Sequence, residues 1–148
     1  MARDINIPAT YRIQTLGCKT NLYDSRKLAD ALEMLGLREA RAEEEPDVCI
    51  VNTCTVTHTA DRKSRKIAAR MARRYPQALV YVTGCYAAIA PEDLREISGV
   101  GRVVPRERWP EMLSELAGGD LPPEIGHMTG DFGINTFGGR ARAFLKIQ

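Results

Sequence analysis

Three times along this chain a short run of strand-forming residues ends in a small or polar residue and a cysteine, and a helical stretch follows. The three endings are Leu16-Gly17-Cys18, Asn52-Thr53-Cys54 and Thr83-Gly84-Cys85. The first run covers Tyr11 to Leu16 and includes Ile13. After it, Leu22, Ser25, Leu28, Leu32 and Leu35 recur at helical spacing until Gly36, which supplies a helix-ending conformation. The second run, Asp47 to Asn52, holds Val48, Cys49, Ile50 and Val51, the pattern of a strand buried on both faces. A helix from about Thr59 to Tyr75 follows, with Ala60, Ser64, Ile67, Ala68, Met71 and Tyr75 along one side. The third run, Leu79 to Thr83, precedes a short helical stretch that Pro91 opens and that reaches about Ile97.

Strands alternating with helices predict an α/β fold: a short parallel sheet of about four strands with flanking helices, in a flavodoxin- or Rossmann-like arrangement. Arg102-Val103-Val104 is the fourth strand, and Trp109 to Leu116 a last short helix. The pattern divides the chain into a domain over 1–117, a Gly- and Pro-rich linker or arm over 118–139, and the opening strand of something further over 140–148. Ligands of open parallel sheets sit beyond the carboxyl ends of the strands, near the point where strand order reverses. All three cysteine units end on that edge, so Cys18, Cys54 and Cys85 can meet.

With 148 residues, 44% apolar and 27% charged, the chain has the composition of a globular domain and none of the marks of a disordered or fibrous one. No apolar run approaches the roughly 18 residues that cross a bilayer, and the first ten residues hold no apolar stretch of the signal-peptide kind. The expectation is a cytoplasmic protein without a membrane partner, in which four cysteines are more often free, catalytic or metal-bound than paired.

Thiolates near helix N-termini are stabilised as ligands, and three of them suit an iron–sulfur cubane that leaves one iron open to an exchangeable ligand. Zinc is the chemical rival, with His58 as a fourth ligand, although structural zinc favours close Cys-x-x-Cys pairs and this chain has none. A thiol nucleophile at Cys18 is another rival. It leaves Cys54 and Cys85 unexplained, and Gly17-Cys18-Lys19-Thr20-Asn21 lacks the arginine an anion cradle needs. A metal-free α/β binding module is the bland alternative. Cys49 lies inside its strand and reads as a small core hydrophobe, and His127 as a loop residue. Net charge is only +2, but Arg62, Lys63, Arg65, Lys66, Arg70, Arg73 and Arg74 crowd one helix, a solvated face or a nucleic-acid contact surface.

Thr15-Leu16-Gly17-Cys18-Lys19-Thr20-Asn21-Leu22-Tyr23-Asp24-Ser25, Val51-Asn52-Thr53-Cys54-Thr55-Val56-Thr57 and Val82-Thr83-Gly84-Cys85-Tyr86 together resemble the N-terminal domain of the radical-SAM methylthiotransferases. The resemblance covers nearly the whole chain. It implies that Cys18, Cys54 and Cys85 bind an auxiliary 4Fe-4S cluster that holds the sulfur to be inserted, and it assigns no ligand role to Cys49. With Ala60-Asp61-Arg62-Lys63-Ser64-Arg65, the motifs look most like the branch that methylthiolates N6-threonylcarbamoyladenosine at position 37, beside the tRNA anticodon. The isopentenyladenosine-tRNA and ribosomal-protein branches are less similar. The implied partner is the tRNA anticodon stem-loop, approached through Arg62, Lys63, Arg65 and Lys66.

These 148 residues hold no Cys-x-x-x-Cys-x-x-Cys, the motif that in this family binds S-adenosylmethionine and a second 4Fe-4S cluster. Arg142-Ala143-Phe144-Leu145-Lys146-Ile147-Gln148 resembles the first strand of the radical-SAM barrel. The expectation is therefore a truncated chain, without the radical-SAM and RNA-binding domains, that turns over no substrate by itself.

Overall fold

The computed structural model describes residues 7–17, 19–54 and 57–126. Its centre is a five-stranded, all-parallel sheet in the order β2-β1-β3-β4-β5. The strands are β1 (Thr10–Thr15), β2 (Arg38–Glu39), β3 (Val48–Thr53), β4 (Leu79–Gly84) and β5 (Arg102–Val103). Among the described residues six α-helices accompany them, α1 (Lys19–Met34), α2 (His58–Arg74), α3 (Cys85–Ile89), α4 (Pro91–Arg95), α5 (Trp109–Ala117) and α6 (Pro123–Gly126), with a 3-10 turn over Arg106–Arg108.

The period of two along each strand sorts the apolar residues onto two faces. Tyr11, Val48, Ile50 and Tyr81 pack on one side with Leu28 and Leu32 of α1 and with Trp109, Met112, Leu113 and Leu116 of α5. Cys49, Val51, Val80 and Val82 pack on the other, against Ala68, Met71 and Ala72 of α2, Tyr86 and Ala87 of α3, and Leu94 of α4. All six residues of β3 are buried, which is why that strand reads as a continuous apolar run rather than an alternating one.

The chain first steps from β1 to β2 on one side, then returns to place β3 on the other side of β1. Strand order thus reverses between β1 and β3. Their carboxyl ends lead into Cys18 and Cys54.

Helix boundaries follow local chemistry. Gly36, at φ +93°, closes α1, and the Leu37 N–H donates back to Leu32 O at 3.0 Å. Thr57 caps α2, its side-chain oxygen accepting from Ala60 N at 3.1 Å. The helix accordingly begins at His58, one residue ahead of the periodic pattern.

Two short elements are not marked by any periodic pattern in the sequence. The edge strand β2 is two exposed, charged residues paired with Thr10 and Tyr11, and its approach is braced by the Arg38–Glu44 ion pair at 2.6 Å. Helix α3 is five residues long and starts at Cys85 itself.

Beyond Ala117, Ile125 of α6 is buried and joins the core against α1 and α5. The rest of the expected arm, His127 and the expected strand over 140–148 lie outside the described residues. Among the described residues, no helix is long and apolar enough to cross a membrane.

Gly84 closes β4 at φ +97°, and a Cβ there would stand 2.3 Å from Thr53 O and 2.5 Å from Asn52 Oδ1. Gly36 shares the left-handed backbone but faces open space. Gly36→Ala is expected to cost about 1 kcal/mol, the local strain alone. Gly84→Ala adds a collision with the backbone of β3 and is expected to cost at least about 3 kcal/mol. Denaturant unfolding of the two variants checks this, and equal costs would contradict the close packing of β4 on β3.

Candidate metal centre

The carboxyl edge of the sheet is held by a chain of buried polar contacts rather than by apolar packing. Strands β1 and β3 are in register to Thr15 opposite Asn52, and β3 and β4 to Thr53 opposite Gly84. Leu16 N extends the first ladder by one bond, donating to Asn52 O at 2.9 Å.

Past that point side chains take over. Asn21, in the first turn of α1 and 3% exposed, donates from Nδ2 to Leu16 O and to Thr53 O, both at 2.7 Å. Asn52 donates to the Asn21 backbone O at 3.0 Å and to Ser25 Oγ at 2.9 Å, and Thr15 Oγ1 reaches the same Ser25 hydroxyl at 2.7 Å. Thr53 Oγ1 donates to Thr83 O at 2.6 Å, and Trp109 Nε1 donates to Thr83 Oγ1 at 2.7 Å. Each buried carbonyl stripped of its donor would cost about 1–3 kcal/mol, so the network is as much an obligation as a support.

Within this frame Cys54 is buried, 4% exposed, directly after β3. Ser64 of α2 donates to Cys54 O at 3.1 Å and accepts from Cys54 N at 3.4 Å, fixing the residue from its helix side. Gly17, two residues past the end of β1, presses on it: at φ +92°, a Cβ on Gly17 would fall 2.6 Å from Cys54 Sγ. The residue preceding Cys18 therefore lies against the Cys54 side chain, with the glycine leaving the space that a side chain would fill. Cys85 is exposed at the first position of α3, one residue beyond the crossing of Gly84 over Thr53. Cys18 lies outside the described residues, between Gly17 and Lys19.

Cys49 is fully buried among Val51, Val80 and the α2 side chains, and burial pushes its thiol up to about 11. It has the character expected of a core cysteine. His58 projects fully into solvent from the start of α2, its Nδ1 4.0 Å from Asp61 Oδ2. Among the described residues no three of His, Cys, Asp or Glu lie close enough together to hold a metal ion, so His58 does not join Cys54 and Cys85.

Arg62, Lys63, Arg65 and Lys66 are exposed in the first turns of α2, on the helix that leaves the Cys54 loop. Arg65 lies 3.7 Å from Asp93 of α4, which in turn accepts from Tyr86 Oη at 2.8 Å. Among the described residues, Arg62, Lys63 and Lys66 make no ion pair. At the far side of the edge, Arg106 pairs with the buried Asp24 at 3.2 Å and lies over the Trp109 ring.

The sequence reading singled out the cysteines but gave no role to Asn21, Asn52, Ser64 or Trp109. The signal was present: Asn52 ends an otherwise apolar run, and Ser64 sits on the apolar side of α2. A polar residue at a position that the period buries must find a partner there.

A family model described as uncharacterized protein family UPF0004 matches residues 10–104. The threonylcarbamoyladenosine tRNA methylthiotransferase MtaB of Bacillus subtilis is 34% identical over 95% of this chain and 33% of its own length. MtaB of Aquifex aeolicus is 38% identical over 70% of this chain and 25% of its own length. The tRNA-2-methylthio-N(6)-dimethylallyladenosine synthase of Sorangium cellulosum is 38% identical over 76% of this chain and 24% of its own length. The chain thus spans about a third or less of these relatives. It belongs to the UPF0004 family, the N-terminal domain of the MtaB- and MiaB-type methylthiotransferases.

Proposed function

We propose that this chain is the auxiliary-cluster domain of a tRNA methylthiotransferase, with Cys18, Cys54 and Cys85 holding a 4Fe-4S cluster and N6-threonylcarbamoyladenosine at position 37 as the modified nucleoside. The observation that supports it is the placement of Gly17, the residue before Cys18, against Cys54 at the switch point of the sheet. The donor chemistry suits iron and sulfide, since all three side chains are soft thiols. When bound, such a cluster supplies an iron that three protein thiolates leave open to an exchangeable sulfur ligand.

The chain's own residues do the rest of the work assigned here. Gly17 leaves room for the Cys54 side chain, Ser64 holds the Cys54 backbone, and Gly84, close against Thr53, sets Cys85 at the first position past β4. Arg62, Lys63, Arg65 and Lys66 offer cations to the phosphates of an anticodon stem-loop beside that edge. The threonylcarbamoyladenosine branch is preferred to the dimethylallyladenosine one because the Bacillus subtilis relative named for it aligns over 95% of the chain. Radical generation and turnover are assigned to parts of a full-length enzyme that these residues do not supply.

Anaerobic reconstitution tests the ligand set. The chain is expected to take up about four irons with broad charge-transfer absorption, to lose both in Cys18→Ala, Cys54→Ala or Cys85→Ala, and to keep both in Cys49→Ala. One zinc per chain instead, released by a chelator with loss of fold, would sink the proposal. For the RNA face, Lys63→Gln and Lys66→Gln are each expected to weaken stem-loop binding and to reduce the dependence of log K on log salt by about one. Unchanged slopes would mark the helix as a solvated face.

A further inference from the structure

We infer that Asn21 is a positioning residue that sets the separation of the Cys18 and Cys54 loops before any metal arrives. The inference rests on the cluster-holding role proposed above for Cys18, Cys54 and Cys85. Both hydrogens of its carboxamide are used, one on Leu16 O, two residues before Cys18, and one on Thr53 O, the residue before Cys54. The β1–β3 register ends at Thr15 opposite Asn52, so the bridge lies where the two chains leave the sheet.

The bridge is itself oriented. Asn52 holds the Asn21 backbone carbonyl and Ser25, and the helix that carries both Asn21 and Ser25 is anchored in the core by Leu28 and Leu32. A planar, neutral group with two donors is what two converging carbonyls require. An aspartate of the same shape would turn a carboxylate toward both carbonyl oxygens. A serine could serve only one. Gly17 lies between the bridge and Cys54, its virtual Cβ 3.5 Å from Asn21 Nδ2 and 2.6 Å from Cys54 Sγ, so the carboxamide, the glycine and the thiol form one contiguous stack. Residues that orient ligands without touching the metal alter metal affinity by about 10- to 100-fold in other sites, which sets the scale expected here.

The experiment compares Asn21→Asp, Asn21→Ser and the remote control Leu116→Ala, all as the 148-residue chain reconstituted anaerobically. Leu116 is buried beside Leu79, where β4 begins, at the opposite edge of the sheet. The readout is the half-life of the cluster absorption under a chelator, together with the rate of disulfide formation between Cys18 and Cys54 in the metal-free chain under a mild oxidant. Both Asn21 variants are expected to shorten the half-life about tenfold or more and to slow the disulfide. Leu116→Ala is expected to lower the unfolding midpoint yet leave both readouts within about twofold of the parent, as expected for distant, independent sites. Asn21 variants that hold the cluster and pair their thiols like the parent overturn the inference alone, as does a Leu116→Ala chain that loses the cluster as fast as they do. A parent chain that takes up no iron overturns the cluster reading and the inference with it.

Discussion

The register of β1 and β3 ends at Thr15 opposite Asn52, and the Asn21 carboxamide bridges the two chains beyond that pair. Parallel strands at a switch point must part there, because the helices that follow them cover opposite faces of the sheet: α1 lies on one and α2 on the other. Parting strands leave carbonyls without ladder partners in a place that water does not reach. Asn21 of α1 and Thr53 of β3 donate to carbonyls there, and Asn52 and Trp109 hold Asn21 and Thr83 in turn.

The magnitudes separate what holds the fold from what shapes the site. A fully buried Leu, Ile or Val contributes about 1.5–3 kcal/mol, and the two faces of the sheet hold many of them. A satisfied hydrogen bond contributes a net of about 0.5–1.5 kcal/mol. The stability of the domain therefore comes chiefly from its two apolar layers, and the polar edge governs geometry. Cys49 and Cys54 show the division within one strand and its exit. The first is packed among valines, its thiol pushed up to about 11 by burial, and acts as core. The second, five residues on, packs its sulfur against Gly17, in the position that a side chain there would take.

Much of this was legible in the residues. The three Cys-ending runs marked the three central strands and the edge on which they end, and the unbroken apolar run from Val48 to Val51 marked a strand covered on both faces, as β3 is. The two-residue β2 left no trace, because Arg38 and Glu39 are charged and exposed and offer no apolar side chain to mark a strand. Helix α3 was hidden by its length, and the burial of Ile125 by the Gly- and Pro-rich sequence around it. The cysteines could be singled out, but not the bridge between their loops. Asn21 is one of three polar residues that open a helix, and nothing local shows that its partners are 5 and 32 residues away.

Diffraction at the iron absorption edge, from crystals of the chain grown and loaded without oxygen, locates the metal. One compact group of iron sites is expected at the carboxyl edge of β1, β3 and β4, within bonding distance of the sulfurs of Cys18, Cys54 and Cys85 and remote from Cys49. Iron bound elsewhere, or a metal held with His58 in place of one of the three cysteines, would contradict it.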